Sequence, residues 1–265
     1  MSFREVVLRP VPDRRSFLKR SIALAGTLAL GGCDRLPELP WFRRVLDSAE
    51  AVTHKAQRLA LGSDALAREY TEADLSPIFR ANGSTSVDDF DYQILAENGF
   101  AGWRLQVDGL VERPRQFSLD ELRSMPSRTQ ITRHDCVEGW SCIGKWKGVP
   151  LRYVLENVGM QPKARYVVFR CADALEPTMD GTGQYYESIG LDDAYHPQTI
   201  LAYEMNDRPL PIPHGAPLRV RVERQLGYKM AKYVMRIEAV ESLAEIGRGR
   251  GGFWEDRGYE WYAGI

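Results

Sequence analysis

The sequence predicts an α+β fold rich in strands, and three observations predict it. Several segments after residue 100 alternate apolar and polar residues with the two-residue period of a half-buried strand. The helical segments among them are short, and proline-containing loops separate the elements. No regular strand–helix–strand alternation runs through the chain, which argues against a parallel α/β sheet. There is no internal repeat. The 265 residues suffice to bury a core, and four cysteines are too few for a disulfide scaffold. The formal net charge is −1, so nothing pulls the chain as a whole toward nucleic acid or anionic lipid.

Residues 1–33 read as a targeting segment. Arg14-Arg15-Ser16-Phe17-Leu18-Lys19 precedes IALAGTLALGG, an uncharged run that ends at Cys33. The run is about a dozen residues, whereas a membrane span needs about 20. The paired arginines match a twin-arginine export signal, which carries proteins that fold, often around a cofactor, before export. Leu30-Gly31-Gly32-Cys33 also matches a lipoprotein cleavage box, with Cys33 as the lipidated residue. The expected location is the periplasm, either free or held by that lipid anchor.

Residues 34–75 form the expected N-terminal helical segment, in which Val45, Leu46, Ala49, Val52 and Ala56 recur at helical spacing between charged residues. Residues 76–265 form the expected single catalytic domain. In it, Trp103, Leu105 and Val107 alternate with Arg104, Gln106 and Asp108 as a strand. Ser118-Leu119-Asp120-Glu121 is a capping box that opens a short helix. Leu151 to Val158 is a second helix, closed by Gly159. ARYVVFRCAD is a strand, Asp192 to Tyr195 a helical turn, and TILAYEMNDRPLPI a hairpin turning at Asn206-Asp207. In PLRVRVER, Leu218, Val220 and Val222 alternate with Arg219, Arg221 and Glu223, and AKYVMRIEAVESL is a further long strand. GRGRGG is a loop, and the aromatic-rich tail GGFWEDRGYEWYAGI is expected to pack on its own core, with a cover or partner surface as the alternative.

The stretch RHDCVEGWSCIGKW concentrates chemistry. Cys136 lies beside Arg133 and His134, whose positive charge would favour a thiolate, while Asp135 opposes it. Read locally, Cys136 is a buried reduced thiol, half of a Cys136–Cys142 disulfide, a nucleophile, or a metal ligand. The chain has no C-x-x-C-H, H-E-x-x-H, C-x-x-C or G-x-S-x-G, and no glycine fingerprint follows a strand. Covalent c-type haem and a nicotinamide site are therefore not expected.

Several ordered blocks carry a resemblance. Cys136-Val137-Glu138-Gly139-Trp140-Ser141 is followed by Trp146-Lys147-Gly148-Val149-Pro150-Leu151 and by His196-Pro197-Gln198-Thr199. Then come Asn206-x-x-Pro209-Leu210-Pro211, His214-Gly215-Ala216-Pro217-Leu218-Arg219 and Leu226-Gly227-Tyr228-Lys229-x-x-Lys232. Over residues 78–243 this order resembles the sulfite oxidase-type molybdopterin oxidoreductases. The likeness is nearest to their bacterial periplasmic catalytic subunits of the protein-methionine-sulfoxide reductase type. The resemblance implies a strand-rich sulfite oxidase-type fold and a mononuclear Mo-molybdopterin cofactor. It implies Cys136 as the molybdenum ligand through its thiolate, a soft donor suited to a sulfur-rich centre.

The resemblance also implies who holds the pterin. Arg219, Gly227, Lys229 and Lys232, with the backbone N–H groups of Met230 and Ala231, would cradle its phosphate. His214 would donate to the pterin, and Asn82 with Thr85 and Ser86 would form an upstream polar loop. Cys171 would contact the cofactor or fill the core. Glu138 would shuttle protons or form a salt bridge, and Tyr185, Tyr186 and Trp140 would line the funnel.

Asp135 replaces an arginine common in relatives. A like charge there would disfavour an anion such as sulfite by about 1 to 4 kcal/mol. The sulfite-oxidising relatives also tend to carry a C-terminal immunoglobulin-like domain, for which the residues after 243 leave no room. The expected reaction is therefore reduction of S- or N-oxides, small or protein-bound, by oxygen-atom transfer. Sulfite oxidation is the alternative within the family. A non-catalytic exported lipoprotein or binding protein, and a disulfide-stapled β protein, are the readings from other classes. With no haem or iron–sulfur motif in the chain, electrons would come through a membrane haem subunit or a periplasmic cytochrome.

Overall fold

The computed structural model describes residues 65–265 and, before them, residues 39, 41, 42, 45, 48, 49, 52, 53 and 62. The chain divides into two units, Met1–Thr53 and His54–Ile265. In the first, the described positions from 41 to 53 are helical, including Val45, Ala49 and Val52 of the predicted stripe. The export signal, Cys33, Leu46 and Ala56 lie outside the described residues.

The second unit holds two five-stranded sheets. One runs in the order β2 (Arg115–Ser118), β1 (Arg104–Gly109), β10 (Val234–Val240), β5 (Tyr166–Ala174), β6 (Gln184–Gly190). It is antiparallel except where β1 lies parallel to β10. The other runs β3 (Arg128–Asp135), β4 (Ser141–Pro150), β7 (Ile200–Met205), β8 (Arg208–Pro209), with β9 (Arg219–Arg221) also paired to β7. The helices α1 (Phe90–Glu97), α2 (Leu119–Ser124), α3 (Leu151–Val158) and α4 (Leu191–Ala194) are short.

Local chemistry sets these elements. On β1, Leu105 and Val107 are buried and Arg104 and Gln106 exposed, as alternation requires. At α2 the Ser118 hydroxyl accepts the Glu121 N–H, while the Glu121 carboxylate accepts the Ser118 N–H at 2.6 Å. Helix α3 buries Leu151, Val154, Leu155 and Val158, and Gly159 ends it at φ 71°. Asn206 and Asp207, at φ 50° and 60°, make the tight turn between β7 and β8.

The helical expectation for 34–75 fails at its end. From residue 65 to Tyr70 the chain is not helical, and Glu69 bridges Thr132 on β3. Its backbone groups are taken by distant partners. The Gln198 side chain accepts from Ala67 N–H at 2.7 Å and donates to Ala67 O at 3.0 Å. Tyr70 N–H donates to Ile131 O at 2.8 Å. A peptide satisfied from outside gains nothing by coiling.

Candidate functional site

Strand β3 ends at Asp135 and β4 begins at Ser141, so Cys136 opens the turn between them. Its N–H donates to Trp140 O at 2.9 Å and its carbonyl accepts Gly139 N–H at 3.0 Å, with Gly139 in the left-handed region at φ 83°. Along β3, Thr132 and His134 are buried while Arg133 is exposed. Alternation therefore turns Cys136 to the His134 side. There the half-buried thiol faces a cleft, with Glu138 beside it. Asn82 and Ser84 line a second side of the cleft, Gly227, Met230 and Lys232 a third. Trp254 and Tyr259, from the C-terminal tail, also line it.

The electrostatics at Cys136 differ from the local reading of the sequence. Burial pushes its thiol up, and the cation that acts against this is Arg80. Arg133 points to the other face and pairs with Asp135 at 2.9 Å. Asp135 also accepts from Ser141 Oγ at 2.5 Å and borders a separate cleft with Arg133 and Tyr70. The acids that line the Cys136 cleft are Asp173 and Glu138, and Glu138 accepts from Trp140 Nε1 at 2.9 Å. Cys136 and Cys142 are both free thiols, so no disulfide joins them.

Behind the cleft lies a group of buried cations. The fork of Arg221 holds both oxygens of Glu223, at 2.9 and 2.7 Å, and its remaining nitrogen donates to His134 Nδ1 at 3.0 Å. A guanidinium only donates, so Nδ1 accepts and the neutral ring carries its proton on Nε2. Burial, with Arg221 and Arg219 nearby, drives His134 well below the usual histidine range.

Arg219 has no carboxylate within ion-pair distance among the described residues; its fork donates to His214 O and Met230 O at 3.1 and 3.3 Å. Burial and Arg221 draw it down to about 9, which leaves it charged at neutral pH. Lys232 donates to the carbonyls of Asn82 at 2.6 Å, Pro213 at 3.1 Å and Ser84, and burial with Arg219 draws it down to about 7. Burial and the same two cations draw His214 down to about 4. Among the described residues six buried polar atoms here lack any hydrogen-bond partner: Arg219 Nε, His214 Nδ1, His134 Nε2, Trp146 Nε1, Asn82 Oδ1 and Asp173 Oδ1. Unpaired buried polar atoms are costly and uncommon, so their gathering at one place marks a ligand site.

The structure brings together Cys136, Glu138, Asn82, Gly227, Met230 and Lys232 around one cleft. Arg219 and His214 lie just behind it, joined through His214 O and Met230 O. Arg219 is not a half-buried strand's polar face but is wholly buried over the Trp146 ring at 5.0 Å. Gly227 does serve close approach: a Cβ there would lie 2.4 Å from His134 Nε2.

Other expected contacts are placed elsewhere. Thr85 and Ser86 are exposed beyond the cleft, and Ser84 takes their place by donating to Asp173. Cys171 is buried in β5, and burial pushes its thiol well above the usual range. Met230 N–H is already given to Gly227 O at 3.1 Å. The Lys229 ammonium points away from the cleft to Glu187 and Glu255, because two buried carboxylates outbid any site it would otherwise face. Of the expected funnel residues, Tyr185 lines the cleft. Tyr186 lies in a neighbouring cleft and donates to Asp256 at 2.6 Å, and Trp140 packs under Arg80.

Asp173, Tyr228, Trp254 and Tyr259 also line the cleft and were not singled out as site residues. The aromatic richness of the tail was the available signal for the last two.

Among the described residues no three His, Cys, Asp or Glu side chains converge as a metal cage. A metal at Cys136 would therefore have to bring its other ligands with it.

Comparison with known proteins shows the family. Residues 93–245 match the oxidoreductase molybdopterin binding domain. A protein of Azospira oryzae, provisionally named a protein-methionine-sulfoxide reductase subunit YedZ1, is 36% identical over 96% of this chain and 88% of its own. The protein-methionine-sulfoxide reductase catalytic subunit MsrP of Xanthomonas axonopodis pv. citri is 40% identical over 54% of this chain. The chain spans 46% of that relative's length. The sulfane dehydrogenase SoxCD of Paracoccus pantotrophus overlays with a TM-score of 0.48 at 22% identity, over 54% of this chain and 39% of that one, an overlap too partial to argue from.

Proposed function

The chain belongs to the family of molybdopterin-binding oxidoreductases, and from that premise we propose that it reduces sulfoxides to thioethers, the oxygen leaving as water, with Cys136 as the residue that would hold the molybdenum. The observation that carries the reading is the half-buried Cys136 thiol opening onto a cleft backed by Arg219 and Lys232, buried cations with no ion-pair partner among the described residues. The donor set fits the cofactor. Arg219 with its free Nε, His214 with its free Nδ1, and Lys232 would hold the pterin phosphate, and His134 Nε2–H and Asn82 Oδ1 suit polar pterin edges. When bound, the cofactor supplies two-electron oxygen-atom transfer.

The protein's own residues do the rest. Cys136 would hold the metal as its thiolate, the form that burial alone disfavours. Glu138, at the open side of the cleft, holds or passes a proton at its carboxylate, and the Trp140 Nε1 bond orients it.

The sulfoxide substrate, small or protein-bound, is proposed from the names of the relatives. The chemistry needs electrons from outside the chain, so the partner is a membrane haem subunit or a periplasmic cytochrome. Export by the twin-arginine route, with or without a lipid on Cys33, rests on the sequence signal; among the described residues no helix is long and apolar enough to cross a membrane.

One observation favours sulfite as a second reading. Asp135, expected to repel an anion, is tied to Arg133 away from the cleft, and Arg80 acts on Cys136 instead. Turnover of methionine sulfoxide with a reduced dye, set against turnover of sulfite with ferricyanide, decides between them. The sulfoxide reading expects about one molybdenum per chain and activity with methionine sulfoxide; activity with sulfite alone overturns it.

A further inference from the structure

The side of the cleft built by the C-terminal tail belongs to none of the motifs that mark the site. The Trp254 and Tyr259 rings stack at 5.3 Å and 28°. Tyr228 meets Tyr259 edge-on at 5.2 Å and donates through its hydroxyl to Glu260 O at 2.6 Å. Trp254, Tyr259 and Tyr228 line the cleft that also holds Cys136. This wall is uncharged.

The wall is fixed from behind. Lys229 Nζ lies 2.5 Å from Glu187 Oε1 on β6 and 2.5 Å from Glu255 Oε1 in the tail, with all three side chains buried. Gly252 has no room for a side chain, since a Cβ would lie 1.9 Å from Glu255 Oε2. Phe253 sits in the core and its N–H donates to Tyr186 O at 3.0 Å. A buried ion group of this kind is a poor source of stability compared with apolar packing, but it holds one arrangement of the chain segments it joins. The segment it joins here is the one that carries Trp254.

We propose that residues 253–259 form the specificity-determining wall of the site, with Trp254 and Tyr259 receiving the apolar methylene arm of the sulfoxide substrate and Lys229 acting as the positioning residue. The inference rests on the sulfoxide reading and names what that site selects. A flat aromatic face favours a neutral sulfur-bearing chain, because sulfur and methylene groups pack against rings without losing hydration of a charge.

The test uses the cofactor-loaded full chain and the variants Trp254→Ala, Trp254→Phe and Lys229→Met. For Trp254→Ala, KM for methionine sulfoxide should rise about tenfold while kcat stays within about twofold. KM for dimethyl sulfoxide, which lacks the long arm, should move by less than about threefold. Trp254→Phe should restore most of the loss, and Lys229→Met should reproduce the KM change. Equal changes for both substrates, or none, overturn the wall. Should Lys229→Met fail to fold, Trp254→Ala decides alone.

A second measurement separates this inference from the reading beneath it. Calorimetric binding of N-acetyl-methionine amide should weaken about tenfold in Trp254→Ala. If the wild type reduces no sulfoxide, the functional reading falls, and this binding still judges the wall. Equal affinity in wild type and variant, or no binding to the wild type, overturns it.

Discussion

Arg221 and His134 meet in the wholly buried layer behind Cys136, with the guanidinium donating to imidazole Nδ1 at 3.0 Å. The same guanidinium neutralises Glu223, so one side chain both fixes the ring and balances a buried acid. Arg221→Met removes both partners at once and, among the described residues, leaves Glu223 with the Gln130 donor alone, at 2.8 Å. The expected loss is about 3–5 kcal/mol, as for breaking any buried pair from one side. Urea unfolding of the cofactor-free protein measures it, and a loss below 1 kcal/mol, within the range of an exposed pair, would contradict the buried pairing.

Cys136 is set apart from stability by its place at the turn. Its thiol is half-buried, and the hydrogen bonds that shape the turn come from its backbone. Cys136→Ala should therefore change stability by less than about 1 kcal/mol while abolishing turnover. Unfolding midpoints and steady-state rates on the same preparation check the pair of outcomes. An active variant would remove Cys136 from the metal.

The sequence was most legible where burial is apolar. Leu105 and Val107 on β1 and the four buried residues of α3 repeat with the period of their element, and both elements lie where the pattern puts them. Strand β3 carried no such signal because its buried face is Gln130, Thr132 and His134. A strand whose inward face is polar looks like a loop to a hydrophobic pattern. Arg219 and Arg221 misled for the same reason: alternation gave their side of β9, but both sides of β9 are buried.

Lys229 shows a different limit. Its direction depends on Glu187 and Glu255, 42 and 26 residues away in sequence, which no local pattern connects to it. The motif found the loop, and only the tertiary structure shows which of its two lysines faces the cleft.

Arg219 is the cation whose free Nε the phosphate would satisfy. Arg219→Gln keeps a donor but loses the charge, and a charge-assisted hydrogen bond is worth about tenfold or more in retention. The pterin content of the desalted variant, measured by mass spectrometry, should fall by that factor with an unchanged far-ultraviolet spectrum. Full retention would place the phosphate elsewhere.

Lys232 gives the cofactor-free protein a defined pH response. Burial and Arg219 lower its folded value to about 7 from the usual 10.5, while Asp173 and Cys171 act in the other direction. Between those two values the unfolded chain holds the proton and the folded chain has released it. Stability must therefore rise with pH through that window, by a few kcal/mol at most, and lie at its full penalty below pH 7. An anion bound beside Lys232 restores the proton and flattens the curve. Urea midpoints of cofactor-free wild type should climb from pH 7 to pH 10 relative to those of Lys232→Met. Parallel curves would mean that Lys232 keeps its proton in the folded state without any anion.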